Sequence, residues 1–140
     1  MVRVLNHPCM LVFATVCLIA ATRVSLPGHT FAATGAVIVS DQNDCSVGPT
    51  NVNFLAPGQT GYVWLIFNSP TTVDGYTYQI TGTSNAFDSG ILKIRFNQCR
   101  KTNVNDFSAR FRTPVVPGGY KLTVFDGTGA KISSDNFTVS

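Results

Sequence analysis

The chain has 140 residues, of which 44% are hydrophobic and 12% charged, and its formal net charge is +3. That length accommodates one ordinary domain plus a leader and excludes a two-domain enzyme. The small positive balance argues against a general polyanion binder, so any electrostatic function must be local.

The first stretch reads as a secretory signal. Arg3 supplies a positive start, and Met10 to Ala21 is an unbroken apolar run. About a dozen apolar residues suit a signal segment and fall short of the roughly 20 needed to span a bilayer. A buried helix at the start of a cytosolic domain is the competing reading. Residues 1–32 are expected to be the signal, with cleavage after Ala32 or earlier, near Ala21 or Thr22. Residues 33–140 then form a single domain, secreted and extracellular. The leader takes with it Arg3, Arg23, Cys9, Cys17 and both histidines, His7 and His29. Eight cations, seven aspartates and two cysteines remain. In an oxidising compartment Cys45 and Cys99 are expected to form a disulfide. Two cysteines without histidine do not make a zinc site.

Beyond the leader, period-2 alternation and turn residues dominate, and no helical period is sustained. Strands are predicted at 35–40, 51–56, 61–67, 76–82, 91–96, 106–111, 120–125 and 130–139. The run "GYVWLIF" (61–67) is apolar on both faces and reads as a central strand. The turns "PVVPGG" and "DGTG" carry glycines suited to positive φ. About eight short strands with proline and glycine between them predict an all-β, immunoglobulin-like antiparallel sandwich of seven to eight strands. The last residues, "FTVS", do not read as the hydrophobic tail of a lipid-anchor signal, so a product released or held only by non-covalent contacts is expected.

Two stretches, "APGQTGYVWLIF" and "SARFRTPVVPGGYKLTVFDGTGAKISSDNFTV", carry a resemblance. The first has a glycine turn, Pro57-Gly58, before a strand with an aromatic, Trp64. The second has Pro117, Gly118, Gly119 and Tyr120 leading into a strand. It ends in a serine-rich hairpin, Ser133 and Ser134, with the triplet Phe137, Thr138 and Val139. This pattern resembles the immunoglobulin-like domain of fungal cell-wall-synthesis proteins and serine/threonine-rich anchored wall proteins. The resemblance implies a secreted, non-catalytic module near a cell wall, by analogy of fold. The chain departs from the family in lacking a serine/threonine-rich stalk and in carrying the Cys45/Cys99 pair. "TGYVW" (60–64) also resembles a loop of chagasin-like cysteine-protease inhibitors, although the glycine-rich and Arg-Pro-Trp loops of that family have no counterpart here.

The chemistry that remains is restricted. Without histidine or glutamate, residues 33–140 have no Ser-His or Cys-His nucleophile and no histidine metal site. The seven aspartates are all expected in turns or at hairpin ends, where aspartate bonds its own backbone. A carboxylate pair for glycoside hydrolysis is the alternative. "DQND" (41–44) could offer oxygens to calcium, but it lacks the spacing of a calcium loop and reads as a capped turn. No enzyme activity, cofactor or metal is expected.

The binding candidates lie elsewhere. Lys93 and Arg95 share one face of "ILKIRF", and Arg110 and Arg112 share one face of "DFSARFR". Paired as a hairpin, these strands would set four cations on one wet face, with Arg100 and Lys101 at the hairpin end. Such a surface suits an anionic ligand, a glycan or a partner protein, because guanidinium forks match carboxylate and phosphate. Alternatively it only keeps a sheet edge soluble. Tyr76 and Tyr78 are second candidates, for stacking on sugar rings, while Trp64 is expected in the core. Asn136 heads the sequon "NFT". The expected function is a secreted binding module at a cell wall or glycan surface. A secreted effector-like protein that binds a partner through its basic face or a strand edge is the alternative, and a small protease inhibitor the third reading. Nucleic acid is not an expected partner, and no membrane span is expected.

Overall fold

A computed structural model describes residues 34–99 and 105–140. The expected signal, residues 1–32, lies outside the described residues, as do Arg100 and Lys101. Among the described residues no helix is long and apolar enough to cross a membrane.

Nine strands follow one another: β1 (Gly35–Ser40), β2 (Phe54–Leu55), β3 (Thr60–Phe67), β4 (Thr77–Gly82), β5 (Leu92–Lys93), β6 (Asn97–Gln98), β7 (Asp106–Arg112), β8 (Gly118–Phe125) and β9 (Lys131–Val139). They form two sheets, ordered β1-β3-β7-β6 and β2-β9-β8-β4-β5. All pairings are antiparallel except β2 with β9. The result is an all-β sandwich, with no helix among the described residues.

Alternation explains the core. Val63, Leu65 and Phe67 of β3 point inward, as do Phe107, Ala109 and Phe111 of β7. The facing sheet contributes Tyr76, Tyr78, Ile80, Tyr120, Leu122, Val124, Phe137 and Val139. Where bulk alternates with none, the packing is close. Gly61 pairs with Phe111 across the sheet, and a Cβ on it would stand 2.6 Å from the ring of Phe111. Phe111 in turn meets Phe137 edge-on, and Phe137 stacks on Tyr120, with ring centroids 5.7 Å apart in each pair. Tyr120 is fully buried, and its hydroxyl donates to the carbonyl of Val116 at 2.6 Å. A buried tyrosine of this kind needs such a partner.

The central strand is apolar on its second face for a different reason from the one expected. Trp64 is fully buried, yet it stands on the outer face of its sheet, away from the inter-sheet core. The segment after β1 covers it. The indole Nε1–H donates to the carbonyl of Gln42 at 3.1 Å. Cys45 and Cys99 are disulfide-bonded, and the hydroxyl of Ser108, the cross-strand neighbour of Trp64, lies 3.7 Å from Cys99 Sγ.

Two expectations are corrected. Residues 91–96 do not pair with 106–111 as a hairpin. Lys93 pairs instead with Thr77, and Leu92 with Tyr78, in the other sheet. The chain then crosses over, and only Asn97 and Gln98 reach β7, opposite Ser108 and Phe107. Nor do all aspartates occupy turns or hairpin ends. Asp44, Asp88 and Asp126 occupy turns, each bonding a backbone N–H two residues on. Asp106 is buried at the first residue of β7, a hairpin end, but Asp135 sits inside β9.

Candidate basic pocket and its surroundings

The crossover does what the expected hairpin would have done, by another route. Lys93 is delivered by β5, Arg95 by the crossing segment, and Arg110 by the outer face of β7. All three line one pocket of about 450 Å³, with Asn43, Tyr62, Tyr78, Ile94, Asn97, Ser108 and Ala109. The three cations are exposed, and none forms an ion pair among the described residues. No carboxylate lines this pocket. Arg95 also borders a second recess, of about 560 Å³, to which Asp74 contributes. Arg112 stays outside the pocket. It shares the outer face of β7 with Arg110 and stands opposite Thr60, as Arg110 stands opposite Tyr62.

The polar members of the pocket were not candidates in the sequence. Asn43 and Asn97 each precede a bridged cysteine by two residues, so the Cys45–Cys99 bond brings them to one place. That spacing is a signal available once the pairing is assumed. Ser108 and Tyr62 follow from β7 and β3 alternation, since they share outer faces with Arg110 and Trp64.

The tyrosines fare differently from the open reading given to them. Tyr76 and Tyr78 are buried in the core, and Tyr76 meets Phe96 edge-on at 6.1 Å. Burial pushes both phenols above their ordinary value, helped at Tyr76 by the nearby Asp126 charge. Neither offers an open ring face for stacking; Tyr78 borders the pocket wall. Thr60 to Trp64 lies within β3, paired throughout with β7 and from Tyr62 onward also with β1, and does not project as a loop. Asn136 is exposed on β9.

Asp44 and Asp88 are committed to local structure. Asp44 accepts from the Ser46 hydroxyl and N–H, which lowers its pKa and caps a turn over residues 45–47, just beyond the stretch 41–44 where a capped turn is expected. Asp88 accepts from the Gln79 amide and the Gly90 N–H, also lowering it. Among the described residues no group of three or more histidine, cysteine or acidic side chains could hold a metal ion.

The fold and this pocket define a disulfide-linked all-β sandwich with a local cluster of free cations. Comparison with protein-family models and with curated proteins gives no match.

Proposed function

We propose that this chain is a secreted, non-catalytic binding module of the extracellular space, which takes an anionic group of a glycan surface in the Lys93–Arg95–Arg110 pocket. The observation that carries the reading is the convergence of three exposed cations, from both sheets and the segment between them, on one polar pocket without a carboxylate in its wall. Like charges held together cost stability unless something offsets them. Hydroxyl and amide groups from Tyr62, Ser108, Asn43 and Asn97 add donors that would orient a carboxylate or phosphate.

The immunoglobulin-like reading of the scaffold has support in strand order. The sheets β1-β3-β7-β6 and β9-β8-β4 correspond to the A-B-E-D and G-F-C arrangement of such domains. Tyr120, near the start of the strand in the F position, bonds back to a carbonyl four residues upstream, as a tyrosine corner does. The disulfide differs from the inter-sheet bridge of antibody domains, since it lies against the outer face of one sheet. Association with a cell wall rests on the family resemblance of the turn and hairpin motifs. The inhibitor reading draws no support from residues 60–64, which run within a paired strand and not in a loop.

The test is retention on insoluble wall polysaccharide and titration with oligogalacturonate, comparing the native protein with Lys93→Ala/Arg95→Ala/Arg110→Ala. Binding that weakens with salt and falls at least tenfold in the variant is expected. Equal binding by the variant, or no binding to any anionic polysaccharide, overturns the proposal.

A further inference from the structure

The edges of the sheets are covered to different extents among the described residues. At the outer edge of β1, Val39 has both backbone groups engaged, its N–H by Asp135 and its carbonyl by the N–H of Val52. The outer edge of β4 is covered by residues 87–94, through bonds from Ser89 to Ile80, Gly82 to Phe87 and Ile94 to Tyr76. The outer edge of β9 is met by β2 at its C-terminal end, with Thr138 and Ser140 donating to Asn53 and Leu55. β7 is different. Its odd-numbered residues bond β3, as the flanking bond from Phe67 N–H to the Asn105 carbonyl indicates. Its even-numbered residues therefore turn their N–H and C=O toward β6, as the bond from Cys99 N–H to the Asp106 carbonyl shows.

β6 covers only Phe107 and Ser108. Extending that register would set Arg95 opposite Arg110 and Lys93 opposite Arg112, but Lys93 is paired in the other sheet. Among the described residues no strand pairs with Arg110 or Arg112 on that side. Their backbone groups form a short vacant edge, bordered by the side chains of Lys93, Arg95, Arg110 and Arg112.

We propose that the Arg110–Arg112 edge of β7 accepts an extended acidic peptide segment of a partner protein as an added strand. Backbone pairing to Arg110 and Arg112 supplies affinity, and acidic side chains on alternate positions of the guest meet the four cations. A second copy of this chain is a poor guest, because edge-to-edge pairing would oppose arginine to arginine. An apolar strand would leave the cations without an offset. The inference shares Arg110 with the anion pocket, but it stands on backbone geometry that a polysaccharide does not use.

The test titrates the protein with a short capped peptide that alternates glutamate with valine, and with the same peptide N-methylated on alternate residues. Oligogalacturonate and inorganic phosphate serve as charge-only probes. Amide exchange at Arg110 and Arg112 is read with each. The expected result is peptide binding, slowed exchange at both amides, and at least tenfold weaker binding by the N-methylated peptide. Arg110→Ala/Arg112→Ala should also weaken binding at least tenfold, and both side chains are exposed, so folding is retained. Equal binding of the N-methylated peptide overturns the proposal, since charge alone would then account for it. Binding of oligogalacturonate without the peptide overturns it too, while leaving the pocket reading intact. Self-association that protects the same two amides assigns the edge to a second copy and overturns the stated occupant.

Discussion

The carboxylate of Asp135 accepts a hydrogen bond from the backbone N–H of Val39 at 2.8 Å. Val39 belongs to the edge strand of the four-stranded sheet and Asp135 to β9 of the other, so one side chain ties the two layers at their margin. It also occupies a backbone donor that an exposed edge would leave free. A hydrogen bond to a charged group contributes about 1.5–3 kcal/mol. Asp135→Ala should therefore lower stability by about that amount, measured by urea unfolding, with a fall in Tm of roughly 5–15 °C. Asp135→Asn, which keeps an acceptor, should recover much of it. A loss below about 0.5 kcal/mol in Asp135→Ala would show that water replaces the carboxylate freely.

The disulfide joins residues 54 apart in sequence. Closing a loop of that length removes chain entropy from the unfolded state equivalent to about 4 kcal/mol. Cys45→Ser/Cys99→Ser should be less stable by a figure of that order. Because the bridge holds the segment over Trp64, and Trp64 is the chain's only tryptophan, its fluorescence reports the change directly. A red-shifted emission before global unfolding is expected when the bond is reduced. An unshifted emission would mean that the indole is covered without the bridge.

Gly61 is confined by the ring of Phe111. A larger residue there must displace an aromatic already packed against Phe137. Gly61→Val should cost about 1–3 kcal/mol by overpacking. Gly61→Val/Phe111→Leu should regain part of that loss, and strict additivity of the two changes would argue against the contact. Gly58 is limited by its backbone, with φ at +65°, and Gly58→Ala should cost roughly 1–2 kcal/mol.

Stability should fall at both ends of the pH scale. At Asp126 partial burial would raise the pKa, but the Thr128 hydroxyl and the N–H groups of Ala130, Thr128 and Gly129 outweigh it and lower the value below 3.8. Asp44 and Asp88 are lowered likewise. The ionised forms are therefore favoured in the folded chain, and their contribution is complete above pH 3.8 and lost as pH drops through the lowered values. Tyr76 and Tyr78 titrate above the ordinary 10.0 because burial disfavours the phenolate. Their contribution is complete below pH 10.0 and lost as pH rises through the raised values. Chemical denaturation across the range should show a plateau between these limits. Ionisation of all four tyrosines near pH 10, read by ultraviolet absorbance, would contradict the burial of these two.

Much of the scaffold was legible in residue order. Alternation marked β3, β7, β8 and β9 within one or two residues of their ends, because a half-buried strand must repeat its apolar side chains every second position. Cys45 and Cys99 had only each other once a leader was set aside. The short elements were harder. Asn97 and Gln98 read as part of a connection, since two residues carry no period. Asp135 read as a hairpin residue, because nothing local announces that its carboxylate will cross to another sheet.

Composition and periodicity alone determined the all-β character, the two-face alternation of the long strands and the presence of cations among apolar neighbours. Tertiary structure decided where those cations meet. "ILKIRF" alternates in the same way whether it pairs with β4 or with β7, because a period of two assigns faces and says nothing about neighbours. The outer edge of β4 takes Leu92 and Lys93, and that choice both gathers Lys93, Arg95 and Arg110 around one pocket and leaves the backbone of Arg110 and Arg112 open beside it.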